Sequence, residues 1–464
     1  MRYLIMAALA VVVLARPGVG AWRFAQAGPG RRYWLPMQWA RLRWKWLARN
    51  TQLAPLDSNA DPKTGTLKSR IRYPKARFRL DEHGWQVRVR TVPLVGRAEC
   101  EQAATHLANH WRASRVGVTQ TAPGRITLRA LRSDPLGRNF GQDRAPDGTY
   151  GLPVDSRSNV ERVRHLVRRQ DRQRVAENHY HGKDLRRLYL GVDEWGEHRY
   201  LPLGTTTGIT VGGLPGFGKT GLVTSWLCQL AGTAAVQFAL IDGKGSEDYA
   251  CWGPRAWLSC GDDLAAAVEV LEQVYGLMRE RLGKVQASTG HRNAWHAGPS
   301  EAWPLIVTVI DESHTFFDLA AYKGRPGDEA AARRAVWLTG QLIKKGRSPL
   351  FLTILATQKQ TGDATPTALR DNCGLGLSFA ARTKDAAVAA LGEGIREYAG
   401  YCPTLLRESV GVCTATLTSG TDPYVRIRVP EVTEEAAEAR AAETARFRRD
   451  PAKATHAPGL VAVA

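Results

Sequence analysis

The stretch Gly213-Leu214-Pro215-Gly216-Phe217-Gly218-Lys219-Thr220 decides the fold of this chain, because it is a complete G-x-x-x-x-G-K-T phosphate-binding motif. It follows an apolar β-type run at residues 209–211 and precedes a helix-prone run that begins at Gly221. A strand, a glycine-rich turn and a helix in that order are the context that the motif requires. The glycines let backbone N–H groups converge on phosphates at the positive end of the helix. The sequence therefore predicts a nucleoside triphosphate site.

The motif also assigns individual roles. Lys219 is expected to contact the β- and γ-phosphates, and the Thr220 hydroxyl is expected to hold Mg²⁺. ATP and Mg²⁺ are therefore the predicted cofactors. The residues predicted to bind ATP are Gly213, Leu214, Pro215, Gly216, Phe217, Gly218, Lys219, Thr220 and Gly221.

Two further apolar runs end in acidic residues. Residues 236–241 are followed by Asp242, and residues 305–310 are followed by Asp311-Glu312. Ligands of an open α/β sheet lie at the carboxyl ends of its strands, so Asp311-Glu312 suits a Walker B arrangement. We expect Asp311 to hold the Mg²⁺ shell and Glu312 to orient and polarise the attacking water, which hydrolysis requires.

A third apolar run, residues 351–356, is followed by Thr357-Gln358. An amide at this edge can sense the γ-phosphate or position the water, and we predict this role for Gln358. The alternative is a buried amide that bonds to the backbone. Strands and helices alternate over residues 186–430, which predicts an α/β motor domain with a parallel central sheet.

These motifs, in this order, resemble the FtsK/SpoIIIE family of DNA translocases. The strongest likeness is to the actinobacterial branch that serves conjugative plasmids and integrative elements. The resemblance implies a RecA-like P-loop motor, a homo-hexameric ring and double-stranded DNA as the partner that is pumped through the ring. The segments that carry it lie at 213–220, 242–245, 309–314, 345–348, 356–358 and 369–372.

The resemblance also implies an arginine that acts on the γ-phosphate bound by the neighbouring subunit. Arg347, Arg370 and Arg382 lie within residues 186–410, which the resemblance covers. We expect Arg370 or Arg382 to be this residue, and the sequence does not choose between them.

Charge is distributed unevenly along the 464 residues, whose net charge is +20. Residues 1–180 contain 33 lysines and arginines against 13 acidic residues, whereas the remainder contains 31 of each. A basic block favours a polyanion, either nucleic acid or an anionic membrane surface, over a merely solvated basic face. The seven scattered cysteines show no zinc spacing and suit reduced thiols in a cytoplasmic protein.

The N-terminus predicts a membrane anchor. The apolar run 4–15 is shorter than the roughly 20 residues that span a bilayer, but including Arg16 to Trp22 gives a marginal span if Arg16 snorkels. We therefore predict that residues 1–27 form the anchor. A cleavable signal peptide is the alternative. The basic, Trp-rich juxtamembrane segment and linker at 28–66 favours the anchor with the motor in the cytoplasm, since positive charge marks the cytoplasmic side. The same tryptophans and arginines could instead stack on nucleic acid.

Three further segments complete the predicted organisation. Residues 67–135 alternate as a small β-β-α-β-β domain of the α+β class, and residues 136–185 form a basic linker. Within that linker, residues 162–169 are either a phosphate-backbone contact or a solvated basic face. Residues 431–464 form an Ala/Glu/Arg tail, which we expect to be solvated.

The leading hypothesis is a membrane-anchored, ATP-driven translocase of double-stranded DNA, with conjugation suggested by the family likeness alone. The first alternative is a protein-secretion ATPase of the type VII sort, which uses the same fold on polypeptide. The second is an ATP-binding membrane scaffold with weak catalysis.

Overall fold

The computed structural model describes residues 32–60, 67–81, 83–137, 185–361, 365–416 and 423–455. The chain divides into two compact units, whose described parts are residues 32–137 and 185–455. The predicted anchor at 1–27 and most of the predicted basic linker, including residues 162–169, lie outside the described residues. Among the helices that the structure describes, none combines the length and apolar character that crossing a bilayer requires.

The first unit is a four-stranded antiparallel sheet with helices on one face. Its elements are α1 Trp34–Leu42, α2 Trp44–Asn50, β1 Leu56–Ala60, β2 Leu67–Ile71, β3 Lys75–Asp81, β4 Gly84–Arg90, α3 Arg97–Trp111, β5 Arg115–Ala122 and β6 Arg125–Leu131. The four strands of the sheet pair in the order β3-β4-β6-β5, and β1 and β2 form a separate two-stranded ribbon.

Alternation along the strands gives this sheet one buried face. Trp85, Val87 and Leu128 are fully buried there and pack in one cluster with Leu107 and Trp111 of α3. Polar and basic residues occupy the opposite positions of the same strands, as the period of two requires.

The two N-terminal helices belong to the core of this unit, which differs from the predicted juxtamembrane segment and linker at 28–66. Trp44 is buried in α2, its ring stacks on Trp111 at 6.4 Å, and its Nε1 donates to Pro74 O at 2.9 Å. Met37 and Leu47 join the same cluster. The apolar positions of these helices recur at helical spacing, and the sheet provides the surface that buries them.

The second unit is built around a ten-stranded sheet. Its strands are β7 Arg187–Asp193, β8 His198–Pro202, β9 Gly208–Gly212, β10 Val236–Asp242, β11 Leu258–Cys260, β12 Leu305–Asp311, β13 Phe351–Thr357, β14 Leu375–Ser378, β15 Val412–Thr416 and β16 Tyr424–Arg428. Its helices are α4 Lys219–Leu230, α5 Leu264–Thr289, α6 His314–Phe317, α7 Pro326–Lys345, α8 Thr367–Arg370, α9 Lys384–Leu391, α10 Glu434–Thr444 and α11 Pro451–Thr455.

The parallel centre of the sheet confirms the predicted α/β class, although the whole sheet is mixed. Strands β11-β10-β12-β13-β9-β14 are parallel neighbours, and β15, β16, β7 and β8 extend the sheet in antiparallel fashion. Every residue of β9, β10, β12 and β13 is buried, as expected for strands covered by helices on both faces. Since β13 lies between β9 and β12, the carboxyl ends of all three strands meet at one edge.

Helices cover both faces of the parallel strands. Leu222 and Trp226 of α4 pack in one cluster with Phe238, whereas Val274 of α5 and Leu338 of α7 pack in another with Ile241. Because Phe238 and Ile241 point to opposite faces of β10, α4 covers one face and α5 and α7 cover the other.

The C-terminal segment is packed, which differs from the predicted solvated tail. Ala437 and Ala441 of α10 are buried in the same cluster as α4. The buried Arg440 side chain donates from Nε to Cys228 O at 3.1 Å. Thr433 caps the helix by accepting from Ala436 N. The small alanines let α10 approach the motor closely, so a segment with few large apolar residues is nevertheless ordered through residue 455.

Candidate active site

The phosphate loop connects β9 to α4 with backbone angles that favour glycine. Gly213, Gly216 and Gly218 have φ values of 156°, 78° and 107°. A Cβ added at Gly213 would lie 2.6 Å from Phe379 Cβ, so a side chain has no room there. Leu214 N donates to Ala380 O at 2.9 Å and ties the loop to the segment after β14. These glycines therefore give the loop backbone angles that other residues rarely adopt, directly before the first turn of α4.

Lys219, the first residue of α4, is buried and lies beside both acidic residues at the end of β12. Its Nζ is 3.1 Å from Glu312 Oε1 and 3.8 Å from Asp311 Oδ1. The structure therefore brings together residues that lie more than ninety positions apart in the sequence. The Lys219 ammonium therefore compensates the negative charge of the two carboxylates that are buried beside it.

Glu312 is fixed at both carboxylate oxygens. Its Oε2 accepts from Gln358 N at 3.0 Å and lies 3.1 Å from His314 Nδ1. Burial opposes ionisation of Glu312, but the hydrogen bonds from His314 and Gln358 and the charge of Lys219 outweigh it and lower its pKa to about 2. The backbone angle φ of Glu312 is 44°, which is unusual for a residue other than glycine, so the backbone is strained at this position.

Asp311 fits the role of a metal ligand. Its Oδ1 is buried and has no hydrogen-bond partner among the described residues. Burial raises the pKa of this carboxyl, although Lys219 opposes the shift. A buried carboxylate oxygen that accepts no hydrogen bond suits Mg²⁺, which takes one or two protein oxygens and completes its shell with water and phosphate. Asp311 and the Thr220 hydroxyl on the first turn of α4 are the residues that would hold it.

A cleft of about 690 Å³ opens at this edge of the sheet. It adjoins the loop that follows β10, in which Lys244 N donates to Asp242 Oδ1 at 3.0 Å. The same loop is bound to the end of β12 because Gly243 N donates to Asp311 O at 3.0 Å. Residues that line the cleft include Leu214, Pro215, Lys244, Glu312, His314, Gln358 and Arg382.

Gln358 lies at the end of β13 beside Glu312. Its side chain lines the cleft, where an amide can face a phosphate or a water, while its backbone N–H holds Glu312. His314 was missed as a functional residue by the sequence interpretation, although it follows Asp311-Glu312 by two positions. Its Nδ1 lies 3.2 Å from Thr357 Oγ1, so it connects the end of β12 to the end of β13.

The structure separates the three candidate arginines. Arg382 is exposed and lines the cleft of its own chain. Arg370 donates from Nη1 to Ala389 O at 3.1 Å, and Arg347 donates from Nε to Gly204 O at 3.0 Å. Neither Arg370 nor Arg347 lines the cleft. Within one chain, therefore, only Arg382 of the three is placed to face a nucleotide bound in that cleft.

Comparison with solved structures identifies the fold. The chain is similar to the pCW3 conjugation coupling protein TcpA, which was solved as a monomer with ATPγS. The TM-score is 0.51 and the sequence identity is 13%, and the match covers 88% of this chain and 99% of that chain. The large, mainly parallel sheet of the second unit is similar to that of the FtsK-like P-loop ATPases. The likeness to the cytoplasmic domain of the Thermomonospora curvata type VII secretion ATPase EccC has a TM-score of 0.43 and 18% identity over 57% of this chain and 31% of that chain. No protein-family model matches the sequence, and no curated protein is significantly similar to it.

Proposed function

We propose that this P-loop ATPase hydrolyses ATP to move double-stranded DNA in conjugative transfer, as a membrane-anchored homo-hexamer. The observation that carries the proposal is the convergence of Lys219, Asp311 and Glu312 where α4 begins and β12 ends, with Glu312 also lining the cleft. Binding alone needs the phosphate loop, whereas hydrolysis also needs a carboxylate that orients water, and Glu312 supplies it.

In the proposed reaction, the backbone amides of the phosphate loop and Lys219 bind the β- and γ-phosphates. Mg²⁺, when held by Asp311 and Thr220, would neutralise charge on the phosphate oxygens. Glu312 holds the attacking water in line with the γ-phosphorus, because Gln358 N and His314 fix the orientation of the carboxylate. The side chains of Gln358 and Arg382 face the γ-phosphate end of the cleft in this proposal and stabilise the charge that develops there.

Two observations support DNA as the substrate that is moved. The excess positive charge of the chain lies before residue 181, ahead of an electrically neutral ATPase half. In addition, TcpA, whose fold matches over most of both chains, is a conjugation coupling protein. A basic segment beside a neutral motor fits a polyanionic substrate better than a polypeptide.

The purified full-length protein should hydrolyse ATP, and double-stranded DNA at low salt should raise its kcat severalfold. A steady-state ATPase assay with and without duplex DNA measures this effect. Turnover that polypeptide but not DNA stimulates would favour the protein-secretion alternative. Absence of turnover under both conditions would favour the scaffold and overturn the proposal.

An exposed apolar stripe on α1 and α2 supports the membrane location. Leu35, Trp39, Leu42 and Trp46 are exposed by 63%, 52%, 64% and 57%, and their spacing places them on one side of the two helices. Basic residues flank the stripe, and the guanidinium of Arg43 lies 4.7 Å from the Trp39 ring centroid. Leucine and tryptophan beside arginine are typical of a helix that lies in the membrane interface.

The full-length protein should float with vesicles that contain anionic lipid. The double variant Leu35→Ser/Leu42→Ser should lower the bound fraction at limiting lipid by about tenfold, since it removes two apolar side chains from the interface. The matched control is Leu56→Ser/Leu94→Ser, which changes two leucines of the same unit that are exposed by 61% and 86%. If the wild-type protein stays unbound, or if both double variants bind equally, the stripe is not a membrane contact.

A further inference from the structure

The face of the first unit's four-stranded sheet that lies opposite α3 is densely basic. Its strands alternate between apolar residues under the helix and basic or polar residues on the open side. Six exposed basic side chains define what we call the arginine face: Lys75, Arg77, Arg79, Arg88, Arg90 and Arg125.

Strand register places like charges directly opposite one another on this face. In the strand register, Arg77 lies opposite Arg88, Lys75 lies opposite Arg90, and Arg90 also lies opposite Arg125 on its other side. Residues opposed in this way have Cβ atoms about 4.5–5.5 Å apart, and like charges on directly opposite residues are destabilising. The arginine face therefore lowers the stability of the unit that carries it.

The unit does not relieve this repulsion with its own carboxylates. Asp81 is the acidic residue on the four strands, and it pairs with Arg129 at 2.5 Å. Among the residues that the structure describes, none forms a hydrogen bond or an ion pair with the six side chains of the arginine face. An external polyanion would neutralise the charges that the sheet leaves opposed.

We propose that the arginine face binds the phosphate backbone of double-stranded DNA and holds the substrate of the motor. This inference rests on the proposed function, and it assigns DNA contact to a surface outside the ATPase unit. Five of the six side chains are arginines, whose planar guanidinium groups bind phosphate oxygens in bidentate fashion. Thr127, which lies opposite Arg88, adds a hydroxyl donor to the same surface.

The chemistry of the face favours duplex DNA over single strands and membranes. Single-stranded nucleic acid is bound by aromatic platforms on which bases stack, and no aromatic side chain lies among the exposed positions of these four strands. Insertion into a membrane needs exposed apolar groups, and in this unit the apolar stripe on α1 and α2 offers them instead. A rigid sheet with fixed rows of cations fits a regular phosphate backbone.

The test compares two variants of the full-length protein that each lose three positive charges from the first unit. The face variant is Arg77→Gln/Arg88→Gln/Arg90→Gln. The helix variant is Arg41→Gln/Lys45→Gln/Arg49→Gln, and the three residues that it changes are exposed as well. Fluorescence anisotropy with a short labelled duplex gives the affinity at several salt concentrations. Vesicle flotation and thermal unfolding are measured on the same samples.

Counterion release predicts the size of the effect. At about 150 mM salt, loss of three phosphate contacts should weaken DNA binding about 100-fold and make the plot of log Kobs against log salt shallower by about 3. The helix variant should keep the DNA affinity of the wild type and lose vesicle binding. The face variant should unfold at the same temperature as the wild type or higher, because a change from arginine to glutamine removes repulsion.

The outcomes separate failure of the inference from failure of the proposed function. If the wild-type protein binds no duplex DNA at low salt, the inference about the arginine face and the proposed function are both wrong. If the wild type binds DNA and the face variant binds it equally well, the arginine face is not the contact and the proposed function stands. If the face variant keeps DNA binding and loses vesicle binding, the face is a membrane surface and the inference is overturned.

Discussion

Replacing Glu312 with glutamine should lower kcat by about 10²–10⁴-fold while ATP still binds. Glutamine keeps the size of the side chain and can accept one hydrogen bond, but it cannot orient and polarise water as a carboxylate does. Since the pKa of Glu312 is about 2, the wild-type group stays charged throughout the neutral range. The loss should therefore be the same at every neutral pH. Steady-state turnover and equilibrium binding of a fluorescent ATP analogue measure the two effects.

A second buried glutamate provides the control for this variant. Glu194 is 4% exposed, accepts from Tyr401 at 3.0 Å and does not line the cleft. Glu194→Gln removes a buried carboxylate without touching the nucleotide site, so turnover should stay within about threefold of the wild type. If Glu312→Gln retains turnover at that level too, the residue that orients water has been assigned wrongly.

Replacing Arg382 with glutamine should lower kcat by about 10³-fold, because an arginine that neutralises charge on the transferred phosphoryl group contributes that much. The side chain is exposed and lines the cleft of its own chain, so it would face a nucleotide bound there. ATP binding should change little, since the added stabilisation arises mainly in the transition state. Single-turnover hydrolysis measures the chemical step directly.

Arg370→Gln is the matched comparison for this prediction. The Arg370 guanidinium donates to Ala389 O, so its loss should affect thermal stability more than turnover. The reverse result, in which Arg370→Gln abolishes turnover and Arg382→Gln does not, would contradict the assignment. It would also indicate that Arg370 reaches the cleft of a neighbouring subunit, and mixing each variant with Glu312→Gln protein would test whether a subunit can complement its neighbour.

The convergence of the candidate site residues at one edge of the sheet could be predicted because each lies next to a strong local pattern. The phosphate loop follows one apolar strand, Asp311-Glu312 follows another, and Gln358 follows a third, so a parallel sheet must bring their ends together. The contribution of His314 could not be predicted in this way. It depends on contacts with Glu312 and Thr357, whose positions relative to His314 are fixed only by the folded sheet.

The surroundings of the motor were harder to predict because tertiary packing outweighs composition there. Tryptophans beside arginines suit a membrane interface, yet Trp44 is buried against Trp111 while Trp39 and Trp46 remain exposed. The Ala/Glu/Arg composition of α10 predicts a solvated segment, but its alanines are buried because α4 packs closely against them. The charge of β3 and β4 is visible in the sequence, but the opposition of Arg77 and Arg88 depends on strand register.

The contact between Lys219 Nζ and Glu312 Oε1 at 3.1 Å places the proposed phosphate-binding ammonium in an ion pair with the proposed water-orienting carboxylate. An ammonium has three N–H donors, so a bound nucleotide would draw some of them towards its phosphates and away from Glu312. In the proposed complex, the affinity for ATP would therefore include the free-energy cost of weakening this ion pair. Glu312 would in turn be freer to orient water once phosphates lie beside Lys219, so occupancy of the site and readiness for hydrolysis would be linked through a single side chain.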